Sequence, residues 1–129
     1  MKIKYRYLVV FLSCLFAYTA THAQKTADFE GVWGGKGYQF NNNESWSIVI
    51  TVTKKKAEIA YPSLGCSGML KIIKANENSL KLKENIKDGA GSCVNNGTIV
   101  LEKINENTIR YKWYFEDGTP GSMGELIRF

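Results

Sequence analysis

From Asp28 onward the chain is written in short segments in which apolar and polar residues alternate. Trp46, Ile48, Ile50 and Val52 alternate with Ser47, Val49, Thr51 and Thr53. Leu80, Leu82 and Ile86 alternate with Lys81, Lys83 and Asn85, and Ile109, Tyr111, Trp113 and Phe115 with Arg110, Lys112, Tyr114 and Glu116. A period of two puts each set on one face of a strand. One apolar and one wet face indicate antiparallel pairing. No stretch repeats apolar residues at helical spacing for long enough to build a helix. The pattern predicts an all-β domain of eight strands, near 31–40, 45–53, 57–61, 66–74, 79–86, 97–104, 108–116 and 122–129.

Between the strands stand turn residues. Tyr61-Pro62-Ser63-Leu64-Gly65 punctuates the third connection, and Asn96-Gly97 and Asp117-Gly118 tolerate positive φ. Eight consecutive strands with short connections suggest an antiparallel up-and-down meander closed into a barrel, which leaves no exposed edge. A two-sheet β-sandwich is the alternative. In a meander, successive connections alternate between the two ends. One end then carries the loops near 41–44, 62–65, 87–96 and 117–121, and the other the tighter turns near 54–56, 75–78 and 105–107.

The first 23 residues change the reading of compartment and charge. Lys2, Lys4 and Arg6 precede an apolar run from Leu8 to Ala17, and Thr21-His22-Ala23 offers a small-residue cleavage site before Gln24. This is the form of a secretory signal peptide over 1–23, ahead of a single domain over 24–129. A lipid anchor through Cys14 is the minor alternative. The apolar run is too short to span a bilayer comfortably, and no membrane span is expected after cleavage. Of 17 basic residues three lie in the leader, which leaves 14 against 12 acidic ones and no histidine. That balance excludes a basic nucleic-acid-binding stripe. The expected location is secreted or periplasmic.

Cys66 and Cys93 are the cysteines that remain. In an exported domain they are expected to pair, closing a loop of about 28 residues that stabilises by roughly 3.5 kcal/mol. Free thiols or a metal site are the alternatives, and two cysteines without histidine are a poor zinc set. Both cysteines fall at the looped end of the meander.

At Glu30-Gly31-Val32-Trp33 the chain resembles the opening of calycin barrels, the group that includes lipocalins and avidins. In that group a Gly-x-Trp motif lies on the first strand and a basic residue of the last strand packs across the tryptophan. The resemblance implies that Gly31, Trp33 and Arg128 close the tight-turn end through a cation–π contact. The Tyr61–Gly68 stretch, Cys93 and Tyr111-x-Trp113 also look like a group of small exported bacterial domains, some similar to extracellular modules of signalling kinases. That second resemblance implies a fold and not an activity.

Candidate chemistry is sparse. Without histidine, residues 24–129 cannot form a Ser-His-Asp arrangement. Gly89-Ala90-Gly91-Ser92 lacks the lysine and helix of a phosphate loop. No pair of carboxylates stands out as an acid–base couple. No enzyme activity, cofactor or metal is expected. Glu84 is the informative residue, because it falls on the apolar face between Leu82 and Ile86, where a carboxylate must be paired or hydrogen-bonded. The 87–96 loop is its expected donor, with a mouth tyrosine next. Tyr38, Trp46, Tyr61 and Phe115 are expected near the same end and, with Glu84, form the candidate ligand-binding set. The expected function is a non-enzymatic binding module of the cell envelope that takes a small apolar or aromatic ligand at the looped end. The alternative is a protein-binding module, such as an inhibitor, whose partner is another envelope protein or a foreign enzyme.

Overall fold

The computed structural model describes residues 26–129. The expected signal peptide, its expected cleavage site and Cys14 lie outside the described residues. Eight strands follow in chain order: β1 (Gly31–Gln39), β2 (Ser45–Val52), β3 (Ala57–Tyr61), β4 (Cys66–Ala75), β5 (Ser79–Asp88), β6 (Thr98–Asn105), β7 (Thr108–Tyr114) and β8 (Pro120–Arg128). Each pairs antiparallel with the next, and β8 returns to β1, so the sheet is a closed barrel and not a sandwich. The last strand starts two residues earlier than its pattern predicts. The third connection contains a single 3-10 turn, Pro62–Leu64, which ends on Gly65 at φ 73. Asn96 and Gly118 take the positive φ expected of their turns.

Closure follows from the alternation. Alternating apolar residues of the strands turn inward, and Ile48, Ile50, Ile59, Leu80, Leu82, Ile99, Leu101, Ile109 and Leu126 are buried together. Core residues of this kind stabilise by about 1.5–3 kcal/mol each relative to exposure. At the tight-turn end the interior is filled. Phe29, which precedes β1, is fully buried there and accepts a 2.9 Å hydrogen bond at its carbonyl from Trp33 Nε1. Trp33 pairs with Arg128 across the β1–β8 seam, and the guanidinium carbon stands 4.1 Å from the ring centroid. The same guanidinium donates to the carbonyls of Glu30, Asp28 and Glu106. Three carbonyls outside the strands are thereby tied to the last residue of β8, and the floor of the barrel is shut.

Cys66 and Cys93 form a disulfide at the opposite end, with their Cα atoms 6.4 Å apart. It joins the start of β4 to the long β5–β6 connection. Cys66 also pairs with Tyr61 in the β3–β4 ladder, so the bond sits beside an inward-pointing tyrosine. No helix among the described residues is long and apolar enough to cross a membrane.

Candidate functional site

Above the filled floor the barrel opens at its looped end into a cavity of about 260 Å³. Its base is a connected set of polar side chains from three strands. Glu84 of β5 is only 1% exposed and points inward between Leu82 and Ile86, as its place in the alternation dictates. Tyr61 of β3 donates to Glu84 Oε2 at 2.5 Å, and Trp113 of β7 donates through Nε1 to Oε1 at 3.2 Å. Each carboxylate oxygen therefore receives one donor. Tyr61 Oη also lies 2.8 Å from Tyr111 Oη. A tyrosine hydroxyl has one hydrogen, and Tyr61 gives its own to Glu84, so Tyr111 donates to Tyr61.

Burial governs the ionisation of these groups. Desolvation raises the Glu84 carboxyl above its ordinary value, against the opposing pull of the Tyr61 and Trp113 hydrogen bonds. Tyr61 is held well above the ordinary phenol range, first by burial and then by its neighbours Tyr111 and Glu84. Burial likewise pushes Tyr111 up and keeps it protonated.

The position of Trp113 depends on two glycines. A Cβ on Gly97 would fall into the indole near Nε1, and one on Gly121 would meet Cε3 at 2.6 Å. The ring lies in the slot between them with its N–H aimed at Glu84. Gly97 also accepts the main-chain N–H of Glu84 at 2.9 Å, which fixes the strand that carries the carboxylate. Phe115 meets the Trp113 ring edge to face, with centroids 4.7 Å apart.

Four of the five candidate residues come together around the cavity: Trp46, Tyr61, Glu84 and Phe115. Tyr38 does not. It is 52% exposed on the outer wall, beside Lys36, Arg110 and Met123. Trp33 faces inward, so odd-numbered positions of β1 do as well, and Gln39 takes the place at the mouth. The sequence hid this alternation because the inner positions Gly35 and Gly37 carry no side chain.

A second correction concerns the donors to Glu84. The 87–96 loop gives the carboxylate none. Asn95 Oδ1 instead accepts from the main chain of Ile86 at 2.8 Å, which ties the loop to the strand and not to the side chain. The carboxylate projects into the barrel, where side chains of β3 and β7 reach it and the loop backbone does not.

Tyr111, Trp113 and Ser122 line the site but were not in the candidate ligand-binding set, although Tyr111-x-Trp113 carried a resemblance. For the first two the signal was present, since both lie on the apolar face of a strand that runs toward the looped end. Ser122 pairs with Trp113 and is 2% exposed on the cavity wall. Its hydroxyl lies near Tyr111 but makes no hydrogen bond of proper geometry. Trp46 Nε1 is also buried without a partner, against Gly37. Among the described residues no cluster of histidine, cysteine and acidic side chains could hold a metal ion.

No protein-family model matches the chain, and no curated protein matches it. Among solved structures it is similar to a redesigned β-barrel, with a TM-score of 0.57 at 11% identity over 81% of this chain and 95% of that one. The likeness is one of fold. It carries no information about the cavity, whose residues belong to this sequence.

Proposed function

We propose that the chain is an exported, non-enzymatic binding module of the cell envelope, built on a calycin-like barrel, that holds a small apolar or aromatic ligand in the cavity at its looped end. The observation that carries this is the contrast between the two ends. The floor is filled by Phe29 and Trp33, whereas the mouth keeps about 260 Å³ open, walled by Trp46, Tyr61, Trp113 and Phe115. This is just under the ~300–1,000 Å³ of ligand pockets, in the usual form of apolar walls around a few polar groups. A disulfide is compatible with an extracellular or periplasmic location. The Trp33–Arg128 contact supports the calycin reading. The absence of histidine from residues 24–129 supports a binding role over catalysis.

Native mass spectrometry of protein purified from its own envelope tests the proposal. A small molecule should co-purify and be lost from Trp46→Ala. A mass equal to the polypeptide alone, together with no binding of small aromatic compounds, overturns it.

The rim supports a second reading. Phe40, Leu64 and Val94 are 53%, 39% and 60% exposed at the looped end. Exposed apolar side chains on loops suit a protein partner, and crosslinking from position 94 in the envelope would capture it.

A further inference from the structure

The cavity is acidic as well as aromatic. Its charged lining residues are Glu84 at the base and Glu44 at the mouth, with no lysine, arginine or histidine among the described residues that line it. Glu84 is held by two neutral donors, one on each oxygen. A carboxylate offers about four acceptor sites, so part of that capacity is unspent in a residue that lines the cavity. A buried carboxylate with no cation beside it is an uncompensated charge. On the same cavity wall Ser122 Oγ is buried without a partner, and the Tyr111 hydrogen is already given to Tyr61.

Resting on the reading of this cavity as a ligand site, we infer that the ligand carries a protonated amino group and belongs to the class of small aromatic or alicyclic amines. An ammonium brings three donors and no acceptor. That matches the free capacity of the Glu84 carboxylate and the unpaired Ser122 oxygen. Trp46 and Phe115 line the cavity, and aromatic faces attract a cation through their quadrupoles; with Trp113 they cover the apolar remainder of the molecule. An anionic ligand would meet two carboxylates and no base. A neutral one would leave Glu84 without a counter-charge. The volume limits the ligand to little more than one ring with a short chain.

Three probes of one shape and different charge test this: 2-phenylethylamine, 2-phenylethanol and phenylacetate. Each is titrated by calorimetry into the disulfide-bonded protein at mildly alkaline pH. The amine should bind at least about tenfold more tightly than the alcohol, and phenylacetate should give no binding. Glu84→Gln should bring the amine to the level of the alcohol. An alcohol that binds as tightly as the amine overturns the cationic assignment and leaves the cavity as a small-ligand site. No binding of any of the three overturns both. Undiminished amine affinity in Glu84→Gln overturns the role of that carboxylate. If Glu84→Gln does not fold, the order of the three probes on the wild-type protein decides alone.

Discussion

Tyr61 Oη and Glu84 Oε2 meet at 2.5 Å although the two residues sit on strands separated by β4. The contact joins the third connection, the disulfide beside it and the strand that leads into the long loop. It is also the middle of a chain from Tyr111 through Tyr61 to Glu84, so its removal leaves partners unpaired on both sides. Tyr61→Phe should therefore cost about 1–3 kcal/mol in urea unfolding, the range for a buried bond to a charged group. A loss within error of zero would mean that the carboxylate does not depend on the tyrosine.

The raised Glu84 carboxyl makes stability depend on pH with a definite sign. Below the ordinary value of 4.5 the folded and unfolded states both hold the proton. Between that value and the raised one only the folded state holds it, so stability falls as pH rises through this window and levels off beyond it. Glu84→Gln removes the titration. Urea midpoints of wild type minus Glu84→Gln should fall with pH across the window, and a difference that stays flat or rises contradicts the burial argument.

Gly97→Ala should disturb the site without touching a polar group. The added methyl falls into the Trp113 indole, and overpacking of this kind costs about 1–3 kcal/mol. The indole must shift, so its bond to Glu84 should lengthen or break. A changed tryptophan emission with a lowered urea midpoint is the expected result.

Arg128 acts by shape as much as by charge. Its planar fork faces Trp33 and reaches three carbonyls, which a lysine cannot reproduce. Arg128→Lys should lose about 1–3 kcal/mol, most of the effect of Arg128→Ala. Thermal unfolding of the pair distinguishes this from a purely electrostatic role, in which the lysine would be nearly neutral.

Reduction of Cys66–Cys93 should cost about 2–5 kcal/mol. Cys93 and Val94 also line the cavity, so the reduced protein should bind its ligand more weakly at temperatures where it remains folded. Unchanged urea midpoints with and without reductant would contradict the stabilising role.

The strands, their order and their closure could be read from the sequence because each depends on a local pattern. Ile48, Ile50 and Val52, or Ile109, Tyr111 and Trp113, state which face is buried within a few residues. Parity then places Cys66 and Cys93 at one end and Trp33 and Arg128 at the other. The inward direction of Glu84 follows from the same step between Leu82 and Ile86. Where the pattern is silent the reading fails: β1 has glycine at its inner positions 35 and 37, so Tyr38 looked like a mouth residue and Gln39 did not.

What tertiary structure decided is which inward side chains meet across the barrel. Tyr61 and Trp113 reach Glu84, and Tyr111 reaches Tyr61, because barrel curvature and strand stagger bring β3, β5 and β7 together at one height, and neither quantity is written in a period of two. The slot between Gly97 and Gly121 likewise exists only once β6 and β8 lie on either side of Trp113. The cavity is the volume those side chains leave unfilled. Its size depends on the packing of the whole interior, and no single segment of the chain encodes it.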